Sequence, residues 1–162
     1  MKKLTLVVLA LSIVALSFGQ DKKSPAASLD KSKLQFNVGV GLSTWGFPFY
    51  LGADYWITED ITIGIEGSAR WNLRWSYGTI GGSINGNYHV NRLLQLPDNV
   101  DLYGGLTAGP YITFGSYWSN NFHIGIGGQI GGRYKIKEGM WVHAELGGGS
   151  LSGAKIGLTF RR

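Results

Sequence analysis

ITIGIEGSARWNLRW, residues 61–75, decides the fold. Its odd positions, Ile61, Ile63, Ile65, Gly67, Ala69, Trp71, Leu73 and Trp75, carry no polar side chain. Its even positions, Thr62, Gly64, Glu66, Ser68, Arg70, Asn72 and Arg74, carry no large apolar one. Successive side chains of a β-strand point to opposite faces, so a period of two is the signature of a strand. At about 3.3 Å per residue the stretch extends roughly 50 Å, long for a strand in a compact soluble domain. One face is wet or internally paired, and the other must lie against something apolar.

Outward from this stretch the same alternation returns. Leu34 to Ser43 and Tyr50 to Ile57 precede it, and Thr79 to Val90, Val100 to Ile112, Phe122 to Ile136, Val142 to Gly147 and Ala154 to Phe160 follow. Between them stand turn signals: Gly46-Phe47-Pro48, Thr58-Glu59-Asp60, Ser76-Tyr77-Gly78, Lys137-Glu138-Gly139 and the Gly-rich 148–153. A longer connection spans 91–99, and a polar, aromatic loop spans 114–121. The pattern predicts eight strands over 34–162, with no segment of helical spacing among them. An even count with these connections predicts an all-β, eight-stranded antiparallel up-and-down barrel.

Residues 1–19 read as a secretory signal peptide. Lys2 and Lys3 precede an apolar run from Leu4 to Leu16, and small Ser17 and Gly19 place cleavage before Gln20. A run this short falls below the ~20 residues of a membrane-spanning helix. Residues 20–33, QDKKSPAASLDKSK, lack periodicity and read as a flexible leader. The chain contains no cysteine, which excludes disulfides and thiolate metal sites. Without Lys2 and Lys3 the 15 basic residues become 13 against 10 acidic ones, a net +3 that is too mild and too scattered for nucleic-acid binding.

Side-chain size decides which face is outside. An eight-stranded barrel has an interior just wide enough for side chains to fill. The polar faces carry mainly Gly, Ser, Thr and Asn with a few charges, as a narrow lumen requires, whereas the apolar faces carry Ile, Leu, Val and Trp. In water that outer face would far exceed the apolar patch a soluble protein tolerates. Lipid accommodates it, and a closed barrel leaves no backbone donor unpaired in hydrocarbon. A soluble ligand-binding barrel, with the opposite polarity, is the less favoured alternative. The aromatics gather near strand ends, predicting two interfacial girdles. Trp45, Trp71, Trp75, Tyr111 and Trp118 fall at one end, and Tyr55, Trp56, Tyr88, Tyr134, Trp141 and Phe160 at the other.

The polar face predicts a lumen charge network of Asp54, Glu66, Arg70, Arg74, Arg133, Lys135, His143, Glu145 and Lys155. A turn at 137–139 would set Arg133 opposite Glu145 and Lys135 opposite His143. Such charges must be paired, because desolvation costs several kcal/mol per ion. A packed polar core is the first reading, and a narrow ion- or water-conducting channel is the alternative. Catalysis is not expected. His123 lies near Ser116 and Ser119 but on the inward face, and no Ser–His pair stands on a lipid-facing surface where a lipid-modifying enzyme would need one. The G-x-G pairs at 39–41 and 125–127 have no helix after them to make a dinucleotide site. Three dispersed histidines make no transition-metal site, so no cofactor is expected.

The chain resembles the small eight-stranded outer-membrane β-barrels of Gram-negative bacteria, of the OmpA/OmpX-like and PorT-like kind. The resemblance covers 34–162. It rests on Tyr88-His89-Val90-Asn91, on Asp101-Leu102-Tyr103-Gly104-Gly105-Leu106 and on the terminal Gly157-Leu158-Thr159-Phe160. It implies an outer-membrane location, a monomer surrounded by outer-membrane lipid, and recognition of the C-terminal strand by the barrel-insertion machinery. In such families that strand ends in an aromatic residue, whereas here Arg161 and Arg162 follow Phe160. With both termini periplasmic, the outer loops would be 46–48, 76–78, 114–121 and 148–153, the third being the best candidate for a binding platform. The role implied is non-enzymatic, structural or surface-interacting.

Overall fold

The computed structural model describes residues 34–43, 46–72, 77–115, 118–147 and 153–161, without the side chains of 72 and 118–120. The expectations for 1–19, for 20–33 and for Trp45, Arg74 and Trp75 therefore lie outside the described residues, as does the side chain of Trp118.

Eight strands follow in order: β1 (Leu34–Leu42), β2 (Phe47–Trp56), β3 (Ile61–Asn72), β4 (Tyr77–His89), β5 (Val100–Gly115), β6 (Trp118–Lys137), β7 (Met140–Gly147) and β8 (Ala154–Arg161). Each pairs antiparallel with the next, and β1 pairs with β8 from Gln35↔Arg161 to Leu42↔Ala154, closing the barrel. The opening stretch forms β3, with Ile61 opposite Tyr88 and Ile65 opposite Ile84 on β4. One end of the barrel carries Leu34, Arg161 and the connections 57–60, 90–99 and 138–139. This is the terminal end, and the connections 43–46, 73–76, 116–117 and 148–153 mark the opposite end.

Alternation sorts the side chains by size. Val38, Leu51, Ile63, Ile84, Leu106, Ile126, Leu146 and Ile156 point outward and are exposed, Ile126 at 79% of its possible area. Gln35, Asp54, Thr62, Asp101, Thr107, Gln129, Arg133 and Thr159 point inward and are buried. The core is therefore polar and sits in the lumen, as the small, hydrophilic faces of the sequence require.

Three local expectations are corrected. The 91–99 connection opens with a helical turn, α1 (Asn91–Leu94), closed by the Leu94 amide donating to Val90 O at 2.9 Å. One turn is too short to show helical periodicity in the sequence. The β6–β7 turn is tighter than expected, with Lys137 opposite Met140 and only Glu138-Gly139 between them. Gly139 takes φ +71, open to glycine at no steric cost, and a register shift between Lys135 and Lys137 follows. Finally, most of the expected 114–121 loop is paired strand: β5 runs to Gly115, opposite Trp118 on β6, with a bulge at Thr113/Gly115. At 20 residues β6 is the longest strand described, and its pairing with β5 continues to Gly115↔Trp118.

Candidate functional site

The lumen carries the chemistry of the chain in two joined clusters. Near the terminal end the hub is Asp101 on β5, fully buried. Its Oδ1 accepts from His89 Nδ1 at 2.7 Å and from the Asn91 amide at 3.0 Å. Its Oδ2 accepts from Arg161 at 2.5 Å and Arg133 at 3.3 Å. Arg133 reaches on to Asp54 Oδ2 at 3.2 Å, which also accepts from Gln35 at 3.0 Å and Asn37 at 2.7 Å. The two carboxylates are thus balanced by two guanidinium groups, and each guanidinium lies on an aromatic face. Arg133 is 4.4 Å from the Tyr103 ring centroid and Arg161 is 4.2 Å from that of Trp141.

Toward the opposite end the hub is Lys155 on β8. Its ammonium bridges Glu145 at 2.6 Å and Glu66 at 2.8 Å and lies 4.9 Å from the Tyr50 ring centroid. Tyr103 donates its hydroxyl to Glu145 at 2.8 Å, joining the clusters.

A hydrogen-bond chain links the two levels in a fixed direction. Asp54 only accepts, so Asn37 offers it the amide and turns its carbonyl oxygen to Thr159 at 2.7 Å. Thr159 therefore donates to Asn37 and accepts from His143 Nδ1 at 2.8 Å, leaving His143 Nε2 to accept from Tyr50 at 2.5 Å. The carboxylate at one end sets the His143 tautomer at the other.

Of the expected network, Asp54, Arg133, Glu145, Lys155, Glu66 and His143 are brought together inside. Arg70 is also buried, nearer the opposite end, where its Nη1 donates to Ser43 at 2.8 Å. Lys135 is half-buried, and no ion pair among the described residues joins it to these clusters. The expected pairings are corrected by two residues: Arg133 faces His143, Lys135 faces Trp141, and Glu145 faces Gly131. The tight Glu138-Gly139 turn and the register shift between Lys135 and Lys137 together set that register.

Sequence reasoning omitted Asp101, Arg161 and His89, which complete the terminal cluster. Asp101 enters the sequence reading only within the Asp101–Leu106 strand that carries the resemblance, and Arg161 only as a residue following Phe160. Parity was the available signal, since Asp101 shares the face of Tyr103 and Arg161 that of Lys155 and Thr159.

The girdle expectation is partly corrected. Trp71, Tyr55, Tyr134 and Phe160 face outward and are exposed, and Tyr88 is half-buried. Trp141 is instead buried in the lumen at 2% exposure beneath Arg161. Trp56 lies against His89 at 4.2 Å with the rings tilted by 38°, and Tyr111 stacks on His123 at 4.9 Å, both on the inward face. These three rings share parity with the polar face, and position near a strand end did not override it.

No protein-family model matches the chain, and no curated protein matches it. Solved structures match in architecture. The N-terminal β-barrel domain of Pseudomonas aeruginosa OprF is 14% identical, with a TM-score of 0.60 over 81% of this chain and 98% of that one. Neisserial surface protein A, NspA, is 14% identical, with a TM-score of 0.58 over 80% of this chain and 94% of that one. The Yersinia pestis outer membrane protein Ail, in a phospholipid bilayer nanodisc, is 13% identical, with a TM-score of 0.54 over 82% and 100%. This is the fold of the small eight-stranded outer-membrane barrels. Its shared part is the closed meander.

Proposed function

We propose that this chain is an integral protein of the bacterial outer membrane, exported with residues 1–19 removed before Gln20, and that its role is non-enzymatic. It would stand in the bilayer as a sealed barrel, structural or surface-interacting, with both termini periplasmic. One observation carries the reading: the large apolar side chains cover the outside while a paired, buried set of charges fills the inside. An apolar exterior needs lipid, and a filled interior leaves no continuous water path.

The partners follow from the same reading. Outer-membrane lipid surrounds the monomer, and β8 is the strand that the barrel-insertion machinery would recognise. The girdle at the terminal end is supplied by Phe36, Tyr55, Tyr134 and Phe160, and that at the opposite end by Phe47, Phe49, Trp71 and Phe122, all exposed. The conducting alternative would require the Asp101–Arg133–Asp54 and Lys155 clusters to part.

Conductance across a planar bilayer tests the sealed lumen. The refolded protein should give no current above bare lipid. Stable unitary currents that change in Arg133→Ala would replace this reading with a channel.

A further inference from the structure

The helical turn α1 at the terminal end is pinned firmly, yet it displays its largest apolar side chains. Asn91 reaches into the lumen, where its amide donates to Asp101 Oδ1 at 3.0 Å and its carbonyl oxygen accepts from the Leu102 amide at 2.8 Å. Arg92 pairs with Glu59 at 3.1 Å and with Asp60, both in the neighbouring β2–β3 connection. Gln95 takes φ +50, the left-handed conformation that ends a helix, and the Leu96 amide returns to Asn91 O at 2.9 Å. Further along, the Val100 amide donates to Pro97 O at 3.0 Å and the Lys135 amide to Asn99 O at 2.9 Å.

This frame fixes where Leu93 and Leu94 point. Residues of a helical turn advance by about 100° each, so Leu93 lies about 200° from Asn91 and points away from the lumen. Leu93 and Leu94 are exposed at 48% and 55%. Neither can fold back into a lumen end already filled by Asp101, Arg133 and Arg161. The strands that α1 joins, β4 and β5, bring the margin of the apolar belt up to it. Tyr88 is paired with Ile61, Leu102 O accepts from the Val90 amide at 2.9 Å, and Ile57, Ile61 and Leu102 are exposed. Tyr88 also lies within electrostatic reach of Asp60 and Arg92. The two leucines therefore continue the belt, and the Arg92–Glu59–Asp60 group lies where the belt ends.

We propose that α1 is a membrane foot: Leu93 and Leu94 enter the phospholipid leaflet at the terminal end, while Arg92, Glu59 and Asp60 stay at headgroup level. Continuity with the lipid-facing belt sets the occupant as lipid. Short segments with one apolar side hold such a position, their side chains reaching roughly 5–10 Å into the headgroup–acyl boundary. Displacement one way would draw the leucines into water, and displacement the other way would draw the charges into hydrocarbon. The foot thus fixes the depth of the barrel. This extends lipid contact from the strands to a connection, and it rests on the membrane reading proposed above.

The chain has no cysteine, so a single introduced thiol reports on a single position. Leu93→Cys, Leu94→Cys, Asp98→Cys and Ile126→Cys are each labelled with a bimane fluorophore. Each is refolded into phosphatidylcholine vesicles with or without bromine on the acyl chains. Asp98 is exposed on the same connection and serves as the control outside the lipid. Brominated chains should quench the labels at 93 and 94 roughly threefold or more above the label at 98, as a position beneath the headgroups requires. The label at 126, in the middle of the belt, should be quenched as well. Quenching at 93 and 94 no greater than at 98, with 126 quenched, overturns the foot and leaves the membrane barrel standing; water or a protein then covers the leucines. A label at 126 that is not quenched counts against the membrane reading itself. Only preparations with heat-dependent gel mobility are read, and because 93 and 94 are labelled separately, either position decides if the other variant fails to fold.

Discussion

Asp101 receives two guanidinium groups, an imidazole and an amide in a site with no exposure to water. Removing its charge leaves Arg133 with Asp54 as its remaining carboxylate and strips Arg161 of its ion pair to Asp101. Breaking a buried pair from one side costs about 3–5 kcal/mol, because the partner's charge remains buried. Asp101→Asn should therefore lower the urea midpoint of the refolded barrel far more than Glu145→Gln, whose partner Lys155 keeps Glu66. Equal losses would show that the two clusters share their charge rather than divide it. Outside, Ile126→Arg places a cation in the middle of the exposed apolar belt. In a bilayer this should cost about 2–4 kcal/mol, read from unfolding in lipid vesicles. A variant as stable as the parent there would mean that this face does not meet hydrocarbon.

At the scale of strands and turns, backbone approach sets the limits. Gly39 on β1 lies opposite Gly157 on β8, at the seam that closes the barrel. A Cβ on Gly39 would come within 2.2 Å of Ile156 O and 2.6 Å of the Tyr50 hydroxyl. A Cβ on outward Gly67 meets nothing within 4 Å. Gly39→Ala should destabilise by about 1–3 kcal/mol through overpacking, while Gly67→Ala leaves the unfolding midpoint nearly unchanged; similar effects at both sites would contradict the seam packing. Gly139→Ala should cost about 1–2 kcal/mol for a β-carbon in the left-handed region, with Gly139→Asn losing less. This scale also shows where sequence reading stopped. Alternation revealed every strand, since a half-buried strand writes its two faces into the chain directly. Register was misread at 137–139 because a turn one residue shorter and the one-residue shift between Lys135 and Lys137 together move the pairing by two, so the faces survive while the partners change. The α1 turn left no periodicity to read.

For the whole molecule, the closed meander and the inside-out polarity were legible because an eight-stranded lumen admits only small or paired polar side chains. The contents of that lumen were only partly legible. Asp54, Arg133, Glu145 and Lys155 were recognisable as inward charges, but Asp101 and Arg161 meet across the barrel, a contact no local pattern encodes. The same limit explains Trp141 and Trp56, whose aromatic character pointed to the interface while their parity sent them inside. The central claim is that the apolar faces surround a closed barrel in lipid, and electrophoretic mobility in SDS before and after boiling tests it most directly. After refolding into detergent, the unboiled protein should run at a different position from the boiled protein, because a closed barrel resists SDS until heated. Identical mobility, with the protein monodisperse in plain buffer, would contradict the account and place the apolar faces in the lumen of a soluble barrel.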